Sequence, residues 1–188
     1  ISRIVAEVLR RVEEREGPLE GGLKTTAPAR PSSGGSEFIF TSVDAAVAAA
    51  SRAQEEFQSL GLEQRGKIIR AMRRAGVANA EPLAKLAHQE TGLGRWQDKV
   101  QKNLIVSLKT PGIEVLKALA YTGDKGLTLV EFAPFGVVAA VTPSTNPTST
   151  IINNSISILA GGNAAVFSPH PASVRCVRET MRLLNEAI

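Results

Sequence analysis

Of 188 residues, one is cysteine and two are histidine. A lone cysteine excludes an internal disulfide and fits a reducing compartment. His88 and His170 cannot make a metal site by themselves, so no metal is expected. Aromatic side chains are scarce at 4%, and the 43% hydrophobic content comes mainly from aliphatic residues. No apolar run approaches the ~20 residues of a membrane span, which excludes a membrane partner of that kind. No charged segment followed by an apolar stretch and a small-residue cleavage site is present, so a cytoplasmic protein is expected. Charge of neither sign dominates: 22 basic residues against 18 acidic ones leave +4. That is a mixed solvated surface, and no nucleic-acid partner is expected. Arg70, Arg73 and Arg74 cluster, but within a helical pattern that reads as an exposed face.

What is present begins with an amphipathic segment over residues 1–16. Ile1, Ile4, Val5, Val8, Leu9 and Val12 share one helical stripe, with Arg and Glu opposite. Residues 17–40 follow, rich in Gly, Pro, Ser and Thr, and read as a flexible linker. So short a helix is marginal alone. It either docks on its own domain or serves as a docking peptide that folds on a partner.

From Thr41 the pattern is helical: a helix to residue 58 capped by Thr41 or Ser42, then helices over 62–78, from Glu81–Pro82 to the glycines of 91–94, and over 98–108. After the break at Pro111–Gly112, TGDKG (122–126) is turn chemistry, and residues 127–133 and 136–142 read as strands. The second strand is continuously apolar, as expected where helices cover both faces. A helix over 147–160, a strand over 163–168 and a helix over 171–188 complete the chain. Strand, helix and strand make a βαβ unit with parallel strands. The fold class is therefore α/β, and so small a parallel sheet implies the front part of a larger domain.

In open α/β sheets ligands bind beyond the carboxyl ends of the strands. Two turns emerge there, PSTN (143–146) and SPHP (168–171), and are expected to form one ledge. Asn146–Pro147 is a helix-start pair. Were the Asn146 carbonyl to cap the helix, its amide donors would stay free for a developing oxyanion. Cys176 falls mid-helix beside Val174 and Val177 and reads as a packing cysteine. No third group completes a nucleophilic set with His170. GLGRWQ (92–97) lacks the third glycine of a dinucleotide fingerprint and follows a helix, so it is set aside.

EFAPFGVVAAVTPSTNPTST and GGNAAVFSPHPAS together resemble the aldehyde dehydrogenase superfamily, in particular its CoA-acylating branch. ETGLGRWQDKVQKN, TPGIEVL and TGDKGLTLVEFAP extend the likeness over roughly residues 40–188. The resemblance implies helices leading into the first part of a Rossmann-like, parallel-sheet cofactor domain, with residues 41–188 as its N-terminal part and the catalytic domain outside the chain. It implies a cysteine thiolate attacking a small aldehyde, hydride transfer to NAD, and acyl transfer to coenzyme A. On this likeness Thr142, Pro143, Ser144, Ser168, Pro169 and His170 would line the cofactor ledge, and Asn146 or Thr145 would support the oxyanion. The turn departs from the wider family's Pro-Trp-Asn-Phe-Pro, placing Thr145 where that asparagine stands. SPHP replaces the Lys-Pro-Ser-Glu-type residues that hold the adenosine ribose in the hydrolytic branch.

The nucleophile's motif is not in this chain, and Cys176 does not match it, so the segment alone is expected to be inactive. Residues 1–16 resemble the encapsulation peptide of aldehyde dehydrogenases housed in bacterial microcompartments. That implies a shell-protein partner and a place in the microcompartment lumen, while the TGDKGLTLVEF arm resembles a strand that pairs between subunits in the family, which implies a homo-oligomer for the full-length protein. Two alternatives are a hydrolytic aldehyde dehydrogenase and a non-catalytic remnant that acts through its docking helix.

Overall fold

The computed structural model describes residues 38–188. The helix expected over 1–16 lies outside the described residues, as does its linker except for residues 38–40, which form neither helix nor strand. The chain divides into two units, Ile1–Ala46 and Val47–Ile188. Helix α1, Val43–Gln58, opens where Ser42 Oγ accepts the Ala45 N–H at 3.2 Å, the side-chain cap that the sequence offered there.

Three helices then pack together: α2 (Leu62–Ala78), α3 (Ala80–Thr91) and α4 (Trp96–Lys109). Gly92 ends α3 in the left-handed conformation at φ 68°, its N–H returning to His88 O at 2.8 Å. Glycine adopts that conformation without a Cβ penalty, so the C-cap reading holds. Helix α4 begins earlier than the expected residue 98. Arg95 is the extended N-cap, and its guanidinium grips the Asp98 carboxylate at 2.8 and 3.0 Å, so Asp98 sits inside the first turn rather than opening it.

A single 3-10 turn, Ile113–Val115, leads to a hairpin. Strand β1, Leu119–Gly123, pairs antiparallel with β2, Gly126–Val130. The sequence reading missed β1 and carried β2 on to residue 133. TGDKG contributes its turn at Asp124–Lys125 but also the end of one strand and the start of the next. Every residue of both strands is exposed, so no burial alternation marked them.

The βαβ unit forms as expected. Strand β3 (Val137–Thr142) and β4 (Ala164–Pro169) pair in parallel, joined through helix α5 (Pro147–Ala160). Asn163 Oδ1 accepts the backbone N–H groups of Phe135 and Gly136, tying the start of β3 to the start of β4. The expectation that both faces of β3 are covered is corrected. Ala140 and Thr142 are buried, whereas Ala139 is exposed and Val141 is 81% exposed. In the described residues helices cover one face only, and the pleat turns alternate side chains to the bare face.

The last helix is split. Pro171–Ser173 is a 3-10 turn and α6 runs Val174–Glu186. The core is aliphatic and binds these parts together: Ile69 and Met72 of α2, Leu83 of α3, Ile151, Ile152 and Ile156 of α5, and Val177 and Leu184 of α6.

Candidate functional site

The two turns foreseen as neighbours are neighbours. Thr142 stands opposite Pro169 in the parallel register, and His170 N–H donates to Thr142 O at 3.2 Å. Residues 143–146 and 168–170 thus leave adjacent strands at the same end of the sheet, the end where open α/β sheets take ligands. Pro143, Thr145, Ser168 and His170 are exposed; Ser144, Asn146 and Pro169 are half-buried. His170 does not face outward unassisted, since its Nδ1 accepts the Ala172 N–H at 3.1 Å and so caps the 3-10 turn.

Thr142 is the buried member of the set, at 2% exposure, on the same face of β3 as Ala140. Its Oγ1 has no hydrogen-bond partner. A buried hydroxyl without a partner is uncommon and marks the end of β3 as polar beneath the ledge.

Asn146 behaves differently from the expectation. It is the N-cap of α5 by position, and its backbone carbonyl accepts the Thr150 N–H at 3.1 Å, but its side chain does not cap the helix. Instead its Oδ1 accepts Lys102 Nζ at 2.8 Å. The cap was anticipated from local sequence; the competitor comes from another helix and is charged, which makes the stronger bond. The amide group consequently does stay available, its one protein contact being 3.5 Å to Thr145 Oγ1.

Lys99 makes the companion contact. Its Nζ donates to the Thr145 carbonyl at 2.6 Å, and only 6% of the residue is exposed. Burial, with the nearby charge of Lys102 adding to it, holds the Lys99 ammonium below the usual lysine range. Among the described residues neither lysine belongs to an ion pair. The sequence reading passed over both. Their signal was spacing: Lys99 and Lys102 are three apart on α4, hence on one face. Asn103 continues that face, its Oδ1 accepting Thr148 Oγ1 at 2.9 Å and its Nδ2 donating to Ala80 O. Helix α4 therefore grips the start of α5 at three successive points.

Cys176 lies in the first turn of α6, not mid-helix, and is fully buried. The Glu90 carboxylate from α3 accepts the N–H groups of Arg175 and Cys176, each at 2.7 Å, capping α6. Burial, then the hydrogen bond and charge of Glu90, push the thiol up to about 12. Such a thiol is a packing group rather than a nucleophile, as the sequence suggested. Among the described residues no group of three or more His, Cys, Asp or Glu side chains is placed to hold a metal ion. No helix among them is long and apolar enough to cross a membrane.

An amide donor, a polar turn at a helix N-terminus and an open ledge across two parallel strands suit the binding of a flat, polar ligand and the stabilisation of negative charge beside it. Comparison with known proteins agrees with the likeness read from the motifs. Residues 38–188 match the model of the aldehyde dehydrogenase family. The whole chain is 45% identical to an acetaldehyde dehydrogenase (acetylating) of Bilophila wadsworthia, covering 38% of that protein. A propionaldehyde dehydrogenase from the fucose utilisation bacterial microcompartment of Clostridium phytofermentans superposes with a TM-score of 0.77 at 46% identity, over 80% of this chain and 34% of that one. A propionaldehyde dehydrogenase of Rhodopseudomonas palustris with bound propionyl-CoA gives a TM-score of 0.77 at 43% identity, over 80% of this chain and 34% of that one. The chain thus spans little more than a third of these relatives and corresponds to their N-terminal portion. It belongs to the aldehyde dehydrogenase family.

Proposed function

We infer that the chain is the N-terminal segment of a CoA-acylating aldehyde dehydrogenase that oxidises a short-chain aldehyde to its acyl-CoA with NAD. The observation that carries this reading is the 45% identity over all 188 residues to an acetylating enzyme, in a chain whose two ledge turns lie side by side. The R. palustris relative with bound propionyl-CoA supports coenzyme A as acyl acceptor.

On this reading the ledge of Pro143, Ser144, Ser168, Pro169 and His170 receives the nicotinamide cofactor, with Thr142 beneath it. The residues fit such a group: the ledge is open, carries hydroxyls, and stands over the orphaned Thr142 Oγ1. When bound, the cofactor supplies the hydride acceptor. The chain's own residues position it and meet the negative charge that develops on the aldehyde oxygen. Asn146 Nδ2 is the better placed donor for that charge, since its Oδ1 is already engaged; Thr145 offers a hydroxyl beside it. The nucleophilic cysteine belongs to a catalytic domain outside this chain. The exposed hairpin β1–β2 is where subunits of a homo-oligomer would pair, and residues 1–16 would address the enzyme to a microcompartment shell protein and so to its lumen.

The test is a chimera in which this chain replaces the matching N-terminal third of an acetylating relative. Formation of acyl-CoA with reduction of NAD, measured against NADP in parallel, is expected. A chimera that folds and oxidises the aldehyde with NAD to the free acid, without needing coenzyme A, would favour the hydrolytic branch and overturn the assignment.

A further inference from the structure

Lysine ammonium groups have donors only, so whichever atom of a carboxamide meets one must be the oxygen. Lys102 Nζ, 2.8 Å from Asn146 Oδ1, therefore settles which way the Asn146 amide is turned. It leaves Nδ2 facing away from α4, with only the 3.5 Å contact to Thr145 Oγ1. A cation on the carbonyl oxygen also draws electron density across the amide and strengthens the N–H as a donor.

Lys99 acts one residue earlier and on the backbone. Its 2.6 Å bond to Thr145 O joins the turn to α4 from a buried position. No carboxylate in the described structure neutralises either charge, so both cations add to the positive end of α5 at the same turn. Burying a lysine against a neutral carbonyl is costly for folding alone, and Lys99 retains that geometry where the turn must be held.

We propose that Lys99 and Lys102 are positioning residues for the oxyanion donor: Lys99 holds the Thr145–Asn146 backbone and Lys102 orients the Asn146 carboxamide with its N–H groups toward the ledge. This rests on the functional reading above, and the test separates the two. In the 188-residue chain, the side-chain amide resonances of Asn146 are compared by 1H–15N correlation spectroscopy between the unaltered protein, Lys102→Met and Lys102→Arg. Lys102→Met should shift the Asn146 pair and leave the other carboxamide signals in place, and Lys102→Arg, which keeps a donor, should restore most of the original position. Lys102 is exposed, so the variant folds; Lys99→Met, which keeps the stem's volume, should in addition shift the backbone amides of residues 145 and 146. Asn146 signals that ignore Lys102→Met would overturn the proposal.

In the active chimera, removing an oxyanion donor outright costs about 10²–10³ in kcat, so loss of its orienting residue should lower kcat about tenfold. KM for the aldehyde should stay unchanged and the arginine variant should regain most of the rate. An unaltered kcat, or a rise in KM alone, would also overturn it. Should the unaltered chimera prove inactive, the functional reading fails, and the Asn146 resonances still decide the role of the lysines.

Discussion

Lys99 Nζ and the carbonyl oxygen of Thr145 lie 2.6 Å apart, joining the first turn of one helix to the turn that begins another. This ammonium, burdened first by burial and then by Lys102, titrates below the ordinary lysine value of 10.5. A depressed value means that the unfolded chain binds more protons than the folded one as pH approaches 10.5. Stability should therefore rise with pH through that window. Lys99→Met should remove this rise, read as the difference between the two proteins' denaturation midpoints at successive pH values.

Cys176 carries the opposite sign. Its thiol is raised from 9.0 to about 12, so the folded state keeps a proton that the unfolded state loses. The stabilising contribution is complete below pH 9.0 and falls away between 9.0 and about 12. Cys176→Ala should abolish that decline. At neutral pH the native thiol should react with a thiol reagent only at the rate of structural opening, and rapidly once denatured.

Glu90 links two helices that are far apart in sequence. Burial works to raise its carboxyl, but the N–H groups of Arg175 and Cys176 outweigh it and set it below 4.5. The stability it contributes should thus be present above pH 4.5 and disappear as pH falls through the folded value. Glu90→Ala should cost roughly 0.5–2 kcal/mol, the usual loss of a helix cap, as measured by chemical denaturation. The same substitution should lower the titration point of Cys176, because an anion beside the thiol is gone.

Gly76 faces α4 so closely that a Cβ there would collide with Ser107 Oγ and stand 3.2 Å from Ser107 Cβ. Gly76→Ala exchanges a poor helix former for the best one, which alone would stabilise. Overpacking should win, with a net loss of about 1–3 kcal/mol in a denaturant titration. By contrast Gly61→Ala meets nothing within 4 Å, so it should lose only the advantage of glycine over alanine at the N-cap of α2, about 0.5–1 kcal/mol.

The helices over 62–78 and 147–160 appear where the apolar spacing put them, with their ends marked by glycine or by Asn146–Pro147. The missed strand Leu119–Gly123 had no such mark: exposed on both sides, it carries no alternation to read. The ledge was legible because strand ends and turn residues are local features. Lys99 and Lys102 were not, because their partners are 46 and 44 residues away. Local reasoning assigned Asn146 a helix cap, and a charged donor arriving from α4 displaced it.

The α/β class, the two turns at one end of a parallel pair, the packing character of Cys176 and the family were all legible in the order of residues, since each depends on periodicity, turn chemistry or a motif contained in a short stretch. Tertiary structure alone decided which atoms of those turns are engaged and which remain available. That choice belongs to contacts across more than forty residues of chain, where geometry and charge, rather than neighbouring residue types, select the partner.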